Sequence, residues 1–263
     1  MLFFAHYGLS QGDAGYDPRY DLDGNGEIEF SDFLVFVDSF GKGGPSQALS
    51  VSVCDRTGAV RDSIMALVPV STCSDVTVAH LSAIDSLSLS GARLTELKAG
   101  DFSDLTCLTK LSLRDNQISS LPDGFFDDLT ALSLLDLEDN QLTSIPSELF
   151  TLSNLTHLYL NSNQLAGEIP KQLGKLSNLT RLYLHRNQLV GGIPSELGNL
   201  SNLEFLLLQD NTSLMGALPQ SLTGLTKLEQ FYFNNTGLCA PLDAAFQMWL
   251  QDIAEASGSN CSG

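Results

Sequence analysis

Apolar residues recur through the middle of the chain in a fixed register. The pattern L-x-x-L-x-L-x-x-N-x-L begins at Leu108, Leu132, Leu155, Leu179 and Leu203, with degenerate copies beginning at Ile84 and Leu228, so that successive starts lie 23 to 25 residues apart. The second and third leucines of a copy, such as Leu158 and Leu160, stand two positions apart, the period of a strand with one buried face. Each copy therefore predicts one short strand with its leucines inward and the intervening residues outward. No copy can bury its leucines alone, so the copies are expected to stack in parallel as a solenoid. Asn116, Asn140, Asn163, Asn187 and Asn211 hold the ninth position. Their amides can satisfy backbone groups at the turn leaving each strand, which predicts a stacked structural ladder.

This signature resembles the leucine-rich repeat. It implies an α/β fold: a solenoid with a parallel β-sheet on its concave face, helical caps, and a small N-terminal helical unit described below. Two copies read N-Q-L-x-G-x-I-P, with Gly167, Ile169 and Pro170 matching Gly191, Ile193 and Pro194. They resemble the plant-type repeat of receptor ectodomains and inhibitor proteins, in which this segment is expected to form a second short strand or extended turn. Earlier copies have Leu121-Pro122 and Ile145-Pro146 instead.

A solenoid exposes core at both ends unless its flanks differ from its repeats. Here they do. Residues 51–83 read as an N-terminal cap, with a helix carrying Val60, Ile64 and Leu67 on one face and an apolar segment from Val76 to Leu81; residues 236–263 read as a C-terminal cap, with a stripe of Phe246, Trp249, Leu250 and Ile253. Cys54 with Cys73, and Cys239 with Cys261, flank the repeats of residues 84–235 in pairs, a placement that suggests disulfides and an oxidising compartment. Cys107 is left over and is expected to be a free, semi-buried thiol. The flanks C-D-R-x-x-x-V-R-D-x-I and L-C-A-P-x-D-x-x-F-Q-x-W-L resemble bacterial extracellular leucine-rich-repeat proteins, which implies a secreted or surface-displayed interaction protein.

Before the first cap, Asp21, Asp23, Asn25, Glu27 and Asp32 fall at positions 1, 3, 5, 7 and 12 of a loop with Gly26 at position 6. This is the EF-hand spacing, in which side-chain oxygens and the Glu27 carbonyl surround Ca²⁺ and the glycine allows the sharp turn. Asp32 stands where the common form has Glu, which resembles dockerin-like variants. Residues 1–41 thus read as a calcium unit with its first hand truncated, and residues 42–50 as a Gly-rich linker.

The balance of 13 Lys+Arg against 31 Asp+Glu gives a formal charge of −18, which opposes nucleic-acid binding. No apolar run is long enough to span a bilayer, and Met1–Tyr7 does not read as a signal peptide. No nucleophile with a base, phosphate loop or open metal site stands out, so no enzyme is expected. His6, His80, His157 and His185 lack the spacing with Cys or Glu that zinc would need.

Outward strand positions of successive copies form columns on the concave face. Those of the later copies bring His157, Tyr159, Arg181, Tyr183, His185, Phe205 and Tyr232 onto one surface. Tyr and Arg are enriched at interface hot spots, which marks this half as a candidate surface for a protein or peptide, with a glycan as the other ligand class. The expected function is a non-enzymatic extracellular interaction module with a structural calcium site. The alternative is a calcium-dependent, dockerin-like anchor with the repeats as a rigid spacer or carbohydrate-binding surface.

Overall fold

A computed structural model describes residues 50–262. The expected calcium ligands Asp21, Asp23, Asn25, Glu27 and Asp32, with most of the linker, lie outside the described residues.

Each copy gives one three-residue strand: β1 (Ser86–Ser88), β2 (Lys110–Ser112), β3 (Leu134–Asp136), β4 (His157–Tyr159), β6 (Arg181–Tyr183), β8 (Phe205–Leu207) and β10 (Gln230–Tyr232). A second series runs beside them: β5 (Ala166–Glu168), β7 (Gln188–Gly191), β9 (Ser213–Ala217), β11 (Gly237–Ala240) and β13 (Ser259–Asn260). The first series closes with β12 (Glu255–Ser257), giving a parallel eight-stranded sheet in the order β1-β2-β3-β4-β6-β8-β10-β12, while the second forms a five-stranded sheet. The sequence pattern predicts about seven strands. The eighth comes from the C-terminal cap, where Glu255–Ser257 carries no leucine and pairs in register with β10.

The inward residue of each repeat strand, Leu111, Leu135, Leu158, Leu182, Leu206 and Phe231 among them, is fully buried. On the opposite side, 3-10 turns at Ser147–Thr151, Lys171–Lys175, Ser195–Asn199 and Gln220–Gly224 each follow a proline, which presets the backbone for a turn, and each drops one leucine into the core. Successive turns approach closely. A β-carbon at Gly174 or Gly198 would overlap the backbone oxygen of Glu196 or Ser221 in the next copy.

The chain leaves each of the seven repeat strands through a residue with positive φ: Gly91, Asp115, Asp139, Ser162, Arg186, Asp210 and Asn235, each immediately before the ninth position. In the five central copies that left-handed residue turns the following asparagine inward, which makes the ladder possible. Asn163 Oδ1 accepts from Leu142 N at 2.9 Å, and its Nδ2 donates to the carbonyls of Leu137 and Leu160 at 2.9 and 3.2 Å. Asn116, Asn140, Asn187 and Asn211 repeat this arrangement, stitching each copy to the one before it. All five asparagines are buried.

In the N-terminal cap, α1 (Gly58–Met65) buries Val60 and Ile64. Leu67, expected on the same face, is instead 53% exposed, because the helix ends at Met65 and the chain turns away before reaching it. The short α2 (Val78–Ser82) leads into β1. In the C-terminal cap, the Asp243 side chain accepts from Phe246 N at 2.9 Å and starts α3 (Ala244–Asp252), while Trp249 packs against Phe231 and Phe246 with ring centroids 6.1 and 5.0 Å away. The tryptophan therefore serves the cap core. Disulfides join Cys54 to Cys73 and Cys239 to Cys261, with Cα separations of 5.1 and 4.7 Å. Cys107 is exposed rather than semi-buried. It precedes Leu108 at the place where later copies carry Asn154 and Asn178, on a turn that faces outward.

Candidate functional site

The two halves of the concave face differ in what their outward side chains do with one another. Toward the N-terminal end polar groups are mutually satisfied: Ser90 Oγ lies 2.8 Å from Ser112 Oγ, and Arg114 Nη1 donates to Glu138 Oε2 at 2.7 Å. That arginine also faces Asp115 and Asp139, so its charge is spent within the protein.

From β4 onward the face becomes aromatic. The rings of Tyr159 and Tyr183 sit in register on β4 and β6 with centroids 4.8 Å apart, so strand spacing alone brings them into contact. His157 and His185 flank this pair, 6.1 Å from Tyr159 and 6.0 Å from Tyr183 respectively. Arg181 lays its guanidinium 4.9 Å above the Phe205 ring of the next strand, a cation–π contact that holds the charge over the sheet. Six of the residues expected from sequence thus share one surface: His157, Tyr159, Arg181, Tyr183, His185 and Phe205. Tyr232 is set apart, because Leu207 stands between it and Tyr183 in the column and its hydroxyl donates to the Glu255 carboxylate of β12.

Burial tunes these groups. It lowers the pKa of His157, with Arg181 adding to the effect, and that of His185, with Arg186 adding to it, so both imidazoles are neutral at neutral pH. Arg181 is raised, chiefly by its polar interaction with Tyr159. Burial also raises Tyr183, so its hydroxyl stays protonated. The surface offers one fixed positive charge, neutral imidazoles and phenol hydroxyls over an apolar floor.

Among the described residues, five buried side-chain atoms lack a hydrogen-bond partner, and four lie on this half of the face: Asn161 Oδ1, Arg181 Nε, His185 Nδ1 and Gln209 Oε1. Asn161 and Gln209 are absent from the aromatic and basic set read from sequence. The signal that could have found them is their place at the seventh position of consecutive copies, beside His185. No group of three His, Cys, Asp or Glu side chains suited to a metal occurs among the described residues.

Comparison with solved structures places this geometry among repeat ectodomains. The LRR ectodomain of the plant membrane receptor kinase GASSHO1/SCHENGEN3 from Arabidopsis thaliana, in complex with CASPARIAN STRIP INTEGRITY FACTOR 2, is 32% identical over 66% of this chain and 21% of that chain, with a TM-score of 0.58. The plant peptide hormone receptor RGFR1 in complex with RGF2 is 38% identical over 57% of this chain and 25% of that one, with a TM-score of 0.53. This chain thus spans a fifth to a quarter of the length of those ectodomains. Internalin C2 from Listeria monocytogenes is 24% identical over 81% of this chain and 99% of that chain, with a TM-score of 0.60, a likeness of fold. No curated protein matches the chain. The profile of the leucine-rich repeat region matches residues 59–254, and with its repeated strands, asparagine ladder and capped ends the chain belongs to the leucine-rich-repeat family.

Proposed function

We propose that this chain is a non-enzymatic, extracellular interaction module that binds a protein or peptide segment on the aromatic half of its concave face. The observation that carries this reading is the contrast within one sheet. Arg114 is neutralised by neighbouring carboxylates, whereas Arg181, Tyr159, Tyr183, His185 and Phe205 converge as a part-exposed aromatic set around one cation. Large rigid aromatics and an arginine held over a ring supply contact area and directional bonds at low entropic cost. The homologous plant ectodomains were solved with peptide or protein ligands, which supports the same use here. Two disulfides favour an oxidising, extracellular setting. The N-terminal loop of Asp21, Asp23, Asn25, Glu27 and Asp32 adds a structural Ca²⁺ site on the strength of its ligand spacing.

Selection of a displayed random-peptide library on the intact chain tests the binding reading. A selected peptide should lose at least about 100-fold in affinity, some 2.7 kcal/mol, against Arg181→Ala/Tyr183→Ala, with the melting temperature of the solenoid unchanged. Retained affinity would refute this surface. For calcium, calorimetric titration of the intact chain should show one site that Asp21→Asn/Asp23→Asn removes; equal heats from both proteins would remove the site from the account.

A further inference from the structure

We infer that the outer edge of the C-terminal cap, from Ala256 to Asn260, takes one more strand: an extended segment of a partner protein that carries lysine or arginine. This surface is separate from the concave face and does not depend on the reading given for it.

The edge follows from how the chain ends the stack. Glu255 N donates to Glu229 O at 2.9 Å, Ser257 O accepts from Phe233 N at 2.8 Å, and Cys261 N donates to Ala240 O at 3.0 Å. These odd-numbered residues turn their main chain toward the preceding copy, with Ser259 in register beside Cys239. Successive residues of an extended chain present their N–H and C=O groups to opposite sides, so Ala256, Gly258 and Asn260 present theirs outward. In the copy before, Asn235 makes a left-handed turn between β10 and β11; between β12 and β13 stands Gly258 alone, without positive φ. The two sheets therefore end in one run of chain, about 13 Å long from Ala256 to Asn260 at about 3.3 Å per residue.

Residues 254–260 are all exposed. Among the described residues no strand pairs with β12 or β13 on this side, whereas α1 lies against β1 at the other end. Proteins blunt an open edge with lysine, proline, a bulge or an inward charge. Ala256, Ser257, Gly258, Ser259 and Asn260 supply none of these. The carboxylate of Glu255 is turned back onto the preceding strand, where it accepts from Gln230 Nε2 at 3.0 Å and from the Tyr232 hydroxyl. Small side chains let a second backbone approach. At Gly258 the chain lies so close to the Phe233 ring that a β-carbon would overlap it, which holds the run against the last repeat.

Charge selects the occupant. Beyond Lys227 the chain carries Glu229, Asp243, Asp252 and Glu255 and no Lys or Arg. Glu229 and Asp252 are exposed, the first bonded through its carbonyl to Glu255 N and the second three residues before it. A second copy would bring the same acids and a further formal charge of −18 to the edge, so like charges oppose self-pairing. A basic segment gains from the same field while its main chain bonds to the edge.

The experiment selects a displayed library of eight-residue peptides with two fixed lysines on Arg181→Ala/Tyr183→Ala, which removes concave-face ligands, and measures the selected peptide on the wild-type chain. Amide exchange followed by NMR should slow at least about tenfold at Ala256, Gly258 and Asn260. Exchanging the lysines for glutamate, or methylating alternate main-chain nitrogens of the peptide, should each lower affinity at least about tenfold. Ala256→Pro removes an outward N–H and no bond to β10, and should abolish binding; the methylated peptides make the same test on an unaltered cap. Protection confined to other residues, affinity indifferent to the lysines, or a library without binders overturns the inference. A chain that sediments as a dimer, and as a monomer after Ala256→Pro, gives the edge to a second copy and overturns the basic partner.

Discussion

Arg56 donates through Nη1 to the main-chain oxygen of Asp101 at 2.8 Å, and Asp101 in turn accepts the Thr57 N–H through Oδ1 at 2.7 Å. The exchange clasps the N-terminal cap to the loop that follows the first repeat strand. Arg56 also donates to Ser103 O at 2.8 Å and lies 4.0 Å from Asp104, with its side chain fully buried. Burial lowers its pKa against the opposing pull of Asp104 and Asp101. Thr57 precedes α1 without a side-chain cap bond of its own, and Asp101, 44 residues away, fixes it by accepting both its N–H and its hydroxyl.

Removing the guanidinium would leave buried carbonyls without donors and Asp104 without its cation. Arg56→Ala is expected to destabilise the chain by about 3 kcal/mol, with the cap melting first. Chemical denaturation compared with the wild type measures it, and a loss under about 1 kcal/mol would show that the clasp contributes little.

The asparagine ladder makes a second, sharper expectation. Asn163→Leu would orphan the buried Leu142 N–H and take one of two amide donors from the carbonyls of Leu137 and Leu160, which keep those of Asn140 and Asn187. The cost should be about 3 kcal/mol, while Asn154→Ala, whose exposed amide makes one bond to Thr130 O, should cost under about 1 kcal/mol. Thermal melts of both variants check the ranking.

At Gly198 the constraint is steric. A methyl group there would overlap the Ser221 backbone, and the two 3-10 turns can separate only by disturbing the stack. Gly198→Ala should lower stability by about 1–3 kcal/mol, whereas alanine at Gly192, which has room for a β-carbon, should be nearly neutral.

Acid should weaken the fold before most carboxylates titrate. His157 and His185 have folded pKa values held below the ordinary one, so the unfolded chain takes up protons near pH 6.5 that the folded chain resists. Their contribution is therefore complete above about pH 6.5 and is lost as pH falls below it. The melting temperature should drop between pH 7.5 and 5.5, and drop less in His157→Gln/His185→Gln.

How much of this was legible in the residues follows from what each feature depends on. The leucine period and the ninth-position asparagines are local and repeated, so the sheet, its inward face and the ladder could be read directly. Cys54–Cys73 and Cys239–Cys261 could be paired by their placement around the repeats. Arg56 could not be read as buried, because its partners are carbonyls of residues 101 and 103, which carry no side-chain signal. Strand β12 was hidden for the same reason: it pairs with β10 through backbone groups and displays no leucine period. The clustering of Tyr159 with Tyr183 followed from the columns, but the unpaired amides of Asn161 and Gln209 did not, since hydrogen-bond satisfaction depends on where every neighbouring donor lies. Leu67 was misplaced because helical periodicity was carried past Met65, where the helix stops.

The central claim is that a partner segment docks on the aromatic half of the concave face. A photoreactive benzoylphenylalanine in place of Tyr183 in one preparation, and in place of Lys175 on the opposite side in another, tests it with a peptide selected on the unmodified chain. Crosslinking from position 183 that is competed by unlabelled peptide, with none from position 175, is the result expected. Equal crosslinking from both positions, or crosslinking from position 175 alone, would contradict it.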